Sequence, residues 1–156
     1  MNRSVILDNL RSAWNVGSVF RTAAALNYQE VVLCGVTIQP PSQKLRETSR
    51  GTEDLIKWTG FATTLAGIEH KRKQGFRIVA VEAMEESISI EKWRAPLDVA
   101  YVMGNEAKGL SEEVLKACDE VVSLPMPGGS VSINVSCAFA AMAYIDGYGN
   151  QPSERT

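Results

Sequence analysis

Five short runs of apolar, largely β-branched residues recur along this chain, separated by stretches with helical patterns. The runs cover residues 4–7, 30–34, 77–81, 99–103 and 120–124. Most are continuously apolar, which is typical of strands in a parallel sheet covered by helices on both faces. The stretches between and after them predict helices at residues 13–26, 61–74, 111–117 and 134–148, with a weaker one at 42–50. The sequence therefore predicts an α/β fold with a mostly parallel sheet.

The chain has the length of one domain. With 156 residues it can bury about 70% of its unfolded surface in a single core. We expect one domain over residues 1–150 and a frayed tail at 151–156. No apolar run approaches a membrane span, and the first residues show no signal-peptide pattern. The three cysteines form no C-x-x-C pair, so we expect reduced thiols and a cytoplasmic protein.

Several common catalytic sites are disfavoured. The only histidine, His70, lies in a polar, basic stretch, which argues against a zinc site or a Ser-His-Asp triad. No G-x-G-x-x-G fingerprint occurs, and Gly109 is followed by Leu110 rather than by the Lys and Ser/Thr of a P-loop. We therefore expect neither a P-loop hydrolase nor a standard dinucleotide dehydrogenase.

Charge is distributed unevenly along the chain, although the net charge is only −2. Residues 1–77 carry eleven Lys and Arg against six Asp and Glu, and residues 78–156 carry five against twelve. A polyanion would prefer the first part and a cationic or uncharged ligand the second, provided that the two parts are also separate in space. Residues 39–59 follow no regular pattern, and we interpret them as either a mobile, substrate-facing loop or a solvated connection.

Three segments carry candidate chemistry. On the first predicted helix, Arg21 is the one long side chain on a face of small residues, and Asn15 lies near the helix start, where backbone donors can meet a phosphate or hydroxyl. Residues 104–109, GNEAKG, follow an apolar strand at the carboxyl end, where ligands bind in open α/β sheets. Taken alone, Arg21 is compatible with a surface charge and Glu106 with a turn residue that caps the next helix.

The third segment, residues 124–144, joins a strand end, a loop rich in Pro and Gly, and a helix. Ser132, Asn134 and Ser136 are short hydrogen-bonding residues at the start of that helix, where free N–H groups point outward. A ligand could be held there mainly by main chain.

The three segments contain the patterns N-x-G-x-x-x-R from Asn15 to Arg21, G-N-E-x-x-G, and P-M-x-G-x-x-x-S-x-N-V-S. Together these patterns resemble the SpoU (TrmH-type) branch of the SPOUT RNA methyltransferases. The resemblance covers about residues 3–148. It implies a Rossmann-like sheet with a C-terminal deep trefoil knot, and a pocket for S-adenosylmethionine without a metal. The implied donor-binding residues are Val81, Glu82, Ala83, Gly104, Leu124, Met126, Ser132 and Ile133.

The resemblance also implies a homodimer that methylates a ribose 2′-hydroxyl of RNA, with catalytic residues Arg21, Asn15, Glu106, Ser132 and Asn134. The family's arginine faces the donor held by the partner subunit. The family assigns deprotonation of the hydroxyl to this arginine. Because a charged guanidinium has no free lone pair, Arg21 is alternatively a clamp on the phosphate and the developing alkoxide. The last predicted helix has a second small, apolar face that suits a dimer through the knot and this helix.

No separate RNA-binding extension is visible, which favours a tRNA or another structured target such as rRNA. Three other interpretations stay open: methylation of a base, a catalytically idle module that binds RNA or donor, and a small-molecule α/β enzyme.

Overall fold

A computed structural model describes residues 1–149 of the protein; the tail predicted at 151–156 lies outside the described residues. The strands are β1 Asn2–Asp8, β2 Glu30–Cys34, β3 Lys57–Phe61, β4 Arg77–Val81, β5 Ile88–Ser89, β6 Asp98–Met103 and β7 Glu120–Ser123. The α-helices are α1 Ala13–Ala25, α2 Gln43–Ser49, α3 Thr64–Lys73, α4 Glu112–Ala117 and α5 Val135–Tyr144. A 3₁₀ turn spans Thr52–Asp54 and a π-helical turn spans Ile145–Gly149.

The strands form one sheet in the order β3-β2-β1-β6-β4-β7-β5, and every neighbouring pair is parallel. The predicted α/β class is confirmed. The chain builds outward from β1 through β2 and β3, and β6 lies on the other side of β1. The strand order therefore reverses between β1 and β6, which is where open α/β sheets form a ligand crevice above the strand ends.

Both faces of the sheet are covered, which explains the continuously apolar strands. Val5 and Leu7 of β1 pack on one side with Phe20 of α1 and Phe139 of α5. Ile6 of the same strand packs on the other side, in the cluster that contains residues of α3 and α4. Alternate residues of one strand thus enter two different hydrophobic cores.

Residues 39–59 are more regular than a loop or a plain connection, and the weaker helix predicted at 42–50 is confirmed. The segment contains α2, the 3₁₀ turn and most of β3, and α2 packs closely against α1. At Gly17 of α1 an added Cβ would lie 2.2 Å from the Thr48 hydroxyl, so this glycine permits the approach of the two helices. Strand β3 lies at the edge of the sheet and is only partly buried. Its sequence is therefore mixed polar and apolar, and it did not predict a strand.

Other boundaries also differ from the predictions. The helix expected at 61–74 begins at Thr64 because Phe61 ends β3 and the Thr63 side chain caps the helix. The helix expected at 134–148 is α-helical only to Tyr144 and continues as the π-helical turn. The two-residue strand β5 was too short to be recognised from its sequence.

Two of the eleven basic residues in the first part of the chain, residues 1–77, are buried in ion pairs. Arg3 is buried and donates hydrogen bonds to Asp146, which also accepts one from the Tyr101 hydroxyl at 2.7 Å. Lys71 is buried and donates to Glu30 at 3.0 Å. The two pairs anchor the last turn and α3 to the sheet, and neither cation can meet a polyanion.

Candidate active site at the carboxyl ends of the strands

The three sequence motifs meet above the carboxyl ends of β1, β6 and β7. Asn15 lies in the first turn of α1, Glu106 in the loop after β6, and Asn134 at the residue that caps α5. We call these three residues the polar cluster. Asn15 and Asn134 are 119 positions apart in the sequence, yet their side chains are hydrogen-bonded.

Asn15 connects the polar cluster. Its Nδ2 donates to Glu106 Oε1 at 3.1 Å, and its Oδ1 accepts from Asn134 Nδ2 at 3.0 Å. Asn134 Oδ1 in turn accepts from the Ser136 backbone N–H at 2.9 Å and from the Ser136 hydroxyl at 2.7 Å. A continuous chain of hydrogen bonds therefore runs from a carboxylate to the start of α5, and it fixes the orientation of each amide.

Glu106 accepts backbone hydrogen bonds from the segment that leads into α1. The N–H groups of Ser12 and Arg11 donate to its two oxygens at 3.0 Å and 3.2 Å. These two donors lie just before α1, so the carboxylate occupies the approach to the helix, whereas the N–H groups of its first residues, Ala13 and Trp14, have no partner within the described residues. Glu106 does not cap the next helix either, because the Ser111 side chain caps α4.

The hydrogen bonds keep Glu106 ionised. Desolvation by burial acts to raise its pKa, but the donors from Ser12, Asn15 and Arg11 outweigh it and hold the pKa below the usual range. Glu106 therefore presents a fixed negative charge at neutral pH and is a weak base.

The loop that carries Glu106 is shaped by its neighbours. Asn105 Oδ1 accepts from the backbone N–H groups of Ala107 and Lys108 at 3.0 Å and 3.1 Å, which closes a tight turn. Gly109 has a φ of +65°, and a Cβ there would lie 2.7 Å from Glu82 Oε2. Glu82 Oε2 itself accepts from the Leu110 backbone N–H at 3.0 Å. Glycine at 109 thus lets the loop close against the end of β4.

A cavity of about 340 Å³ adjoins the polar cluster. We call it the first cavity. All eight residues predicted to bind the donor line it, as do Glu106 and Asn134 of the polar cluster. They come from the ends of β4 and β6, the loop after β7 and the start of α5. The eight residues are Val81, Glu82, Ala83, Gly104, Leu124, Met126, Ser132 and Ile133.

The loop at 125–133 offers the first cavity main-chain donors. Within the described part of the chain, the only backbone N–H of this loop with a hydrogen-bond partner is that of Gly129, which donates to the Met126 carbonyl at 3.2 Å. Ser132 is exposed, and its side chain forms no hydrogen bond to the polar cluster. The loop is therefore open to a ligand on its main-chain side.

Arg21 is the predicted site residue that the structure does not bring to the others. It is exposed on α1 and lines neither the first cavity nor the larger one described next. Among residues 1–149 it has no ion-pair partner.

A second, larger cavity of about 1080 Å³ lies on the other side of the Glu106 loop, and the sequence analysis missed it. We call it the second cavity. Its lining includes Asp8 and Asn9 at the end of β1 and Thr63 and Thr64 after β3. The polar residues that follow the apolar run of β1 are an available signal, but β3, which lies two strands from β1 in the sheet, is not predicted from the sequence.

Residues 2–144 match the SpoU rRNA Methylase family, and the chain belongs to this family. It is 31% identical over 141 residues to the 23S rRNA (guanosine-2'-O-)-methyltransferase RlmB of Acinetobacter baylyi, covering 88% of this chain and 56% of that protein. The chain thus spans about half the length of the curated relatives it matches.

Solved structures agree with the family assignment. An AdoMet-bound rRNA methyltransferase from Sinorhizobium meliloti superposes with a TM-score of 0.84 at 27% identity, covering 92% of this chain and 54% of that one. A structure described for the 2-OH methylation of C/U34 on tRNA gives a TM-score of 0.81 at 28% identity, covering 91% of both chains. In residues 1–149 no group of His, Cys, Asp and Glu side chains is arranged to hold a metal, and no helix is long and apolar enough to cross a membrane.

Proposed function

We propose that this protein is an S-adenosylmethionine-dependent methyltransferase that acts on a ribose 2′-hydroxyl of structured RNA, either tRNA or rRNA. The observation that carries the proposal is the polar cluster, in which side chains from all three motifs are hydrogen-bonded at the edge of a cavity lined by every predicted donor-binding residue. Relatives that are described as 2′-O-methyltransferases and as AdoMet-bound support it.

The first cavity fits the methyl donor chemically. Apolar side chains such as Leu124 and Ile133 suit the adenine ring, and the main-chain donors at 125–133 suit its polar edges. Glu82 and Glu106 give the cavity negative charge, which complements a sulfonium. When bound, S-adenosylmethionine supplies an activated methyl group to an incoming oxygen.

The polar cluster has a positioning and electrostatic role in this proposal. Asn15 and Asn134 hold the Glu106 carboxylate and the start of α5 in one arrangement, so that donor and acceptor are in line. Glu106 is a poor base because its hydrogen bonds depress its pKa. We assign it the stabilisation of positive charge beside the first cavity. Ser132, at the mouth of the same cavity, is assigned to contact the acceptor or the donor.

Arg21 is proposed to act from a partner subunit of a homodimer. Its guanidinium stays charged, so it grips the phosphate and favours the developing alkoxide, and the hydroxyl proton leaves to solvent. Helices α1 and α5 pack together. Trp14 of α1 is 74% exposed, and Tyr144 at the end of α5 (57% exposed) stacks on Tyr148 of the π-helical turn (66% exposed). Burying these rings against a second copy would place exposed α1 residues such as Arg21 near the partner.

We also propose the trefoil knot. β7 lies between β4 and β5, which are consecutive strands, so the segment at 82–87 passes across β7 to reach its other side. The chain after β7 then returns to the first cavity and enters α5. This crossing is the arrangement that a knot at the donor site requires.

RNA binding is assigned to basic residues that remain exposed after the buried pairs are removed. Arg11, Lys44 and Arg50 are exposed, and none forms an ion pair within the described chain. They lie on or near α1 and α2. With RNA as substrate and three free cysteines, we expect the protein to work in a reducing compartment such as the cytoplasm.

A methylation assay tests the proposal. Purified protein is incubated with tritiated S-adenosylmethionine and with total tRNA or rRNA from cells that lack this gene. We expect label in one 2′-O-methylated nucleoside on mass spectrometry of the digested RNA. Label in a methylated base would show that the protein methylates a base and not a ribose. Donor binding without any label would identify an idle module, and neither binding nor label would contradict the proposal entirely.

A further inference from the structure

The second cavity lies at the reversal of strand order, above the carboxyl ends of β1, β2, β3 and β6. It shares one wall with the first cavity, the loop at residues 105–109. Asn15 lines only the second cavity, Asn134 only the first, and Glu106 lines both. The polar cluster therefore stands between the two cavities.

The walls of the second cavity combine apolar side chains with charge near the shared loop. Val36, Ala62, Leu65 and Val114 contribute apolar surface from three segments of the chain. Arg11 and Lys108 are exposed cations on the side of the shared loop, and the carboxylates of Asp8, Glu106 and Glu113 also line the cavity. Apolar walls with cations at one side suit a flat heterocycle attached to a phosphate backbone.

Asp8 gives this cavity a buried acceptor. The residue is 6% exposed, and its Oδ1 accepts hydrogen bonds from the Thr64 hydroxyl and from Asn9 Nδ2. Within the described residues no donor reaches Oδ2, and this oxygen is not one of the fully buried side-chain atoms that lack a partner. Because Asp8 lines the cavity, Oδ2 is open to it and can accept a hydrogen bond from a ligand.

We propose that the second cavity receives the base of the nucleotide whose ribose is methylated, extruded from the RNA, with an N–H of the base donated to Asp8. This inference rests on the proposed function and adds the location of the acceptor nucleotide. The base lies among the apolar walls and the ribose lies at the polar cluster. Its 2′-hydroxyl then points into the first cavity past the edge of the Glu106 loop, and Arg11 and Lys108 neutralise the flanking phosphates.

Filling the second cavity is the direct test. Ala62→Phe places a ring in the cavity, and Ala66→Phe places the same ring on the exposed side of α3, outside the cavity. Total tRNA and rRNA from cells lacking the gene serve as substrate, and donor affinity is measured by calorimetry. We expect A62F to lower kcat/KM for RNA roughly 100-fold with unchanged donor Kd and Tm, and A66F to match the parent protein.

Asp8→Asn provides a second, independent variant that keeps shape and removes charge. We expect about a tenfold loss in kcat/KM for RNA with unchanged donor Kd, because a charge-assisted hydrogen bond becomes a neutral one. Thermal unfolding shows whether the contacts of Thr64 and Asn9 persist.

The outcomes separate this inference from the function on which it rests. If the parent protein methylates RNA and both A62F and D8N retain full kcat/KM, the second cavity does not hold the base. If A62F abolishes donor binding instead, the donor occupies the second cavity and the inference is overturned. If the parent protein methylates no RNA, the proposed function itself fails, whatever the variants do.

Discussion

The polar cluster and Arg21 both belong to the motifs of this family, but they differ in the partners that they have within the subunit. Asn15, Glu106 and Asn134 are locked to one another by hydrogen bonds from three elements. Arg21, on the same helix as Asn15, is exposed and has no ion-pair partner in the described chain. One chain thus organises the donor side of the proposed site, whereas its arginine has no ion-pair partner within the described residues.

This difference separates two kinds of functional residue. A residue whose role is to hold geometry has all its partners within the subunit, so the folded chain shows it. A residue whose role is to contact RNA or a partner subunit has no such partners, and the folded chain shows only that it is available. The predictions below test this distinction, from the largest expected effect to the smallest.

Arg21→Ala is expected to remove turnover, by roughly 1,000-fold or more, while donor affinity and Tm stay unchanged. Arg21→Lys is expected to recover little, because a lysine cannot reproduce the planar fork of donors. Single-turnover methylation and calorimetry measure the two quantities, with Arg94→Ala as the matched surface control. Reduced donor affinity in R21A would show that the arginine binds the donor rather than the acceptor and would contradict the comparison.

Glu106→Gln keeps the shape of the polar cluster and removes its charge. We expect a roughly 100-fold lower kcat and weaker donor binding, because the sulfonium loses a fixed anion beside the first cavity. Glu112→Gln, at an exposed position on α4, is the control. Weaker donor binding with a normal kcat would show that the charge of Glu106 stabilises the bound donor but not the transition state.

Asn134→Ala removes both a helix cap and a link of the polar cluster. The cap is expected to cost about 1 kcal/mol of stability. Ser42→Ala removes the cap of α2, which lies outside both cavities, at a similar cost. We expect N134A to lose about tenfold in turnover and S42A to lose none. Equal turnover in the two variants would show that Asn134 acts only as the cap of α5.

The pH dependence of stability is expected to show the smallest effect. The pKa of Glu106 is lowered in the folded protein, so its contribution is present above the unfolded pKa of about 4.3 and is lost as pH falls through the lower folded value. The Tm advantage of the parent protein over E106Q should therefore shrink between about pH 5 and pH 3. A difference in Tm that is constant over this range would show that Glu106 gains nothing from its hydrogen bonds.

The sequence predicted the parallel strands of the sheet interior well, because strands covered on both faces are continuously apolar. It missed β3, whose residues Lys57 to Phe61 form a partly exposed edge, and β5, which has only two residues. It also placed Arg3 and Lys71 on a basic surface, although both are buried in ion pairs with residues far away in the sequence.

For the site, motif resemblance identified Asn15, Glu106 and Asn134, but no periodicity reveals that they share hydrogen bonds across 119 positions. The second cavity was not predicted because it depends on how β1, β3 and the Glu106 loop come together. The proposed role of Asp8 in particular rests on its place in this cavity and on the donors that reach one of its oxygens but not the other.

Subunit complementation tests the central claim, a site completed by two chains. R21A keeps the first cavity intact, whereas Ala83→Trp fills it and leaves Arg21 intact; Met84→Trp, outside the cavity, is the matched control. Each of R21A and A83W alone should be inactive on RNA. Mixed in equal amounts and allowed to exchange subunits, they should recover about one quarter of the parent activity, since half of the dimers carry one complete site. No recovery in verified mixed dimers would contradict a site shared between subunits.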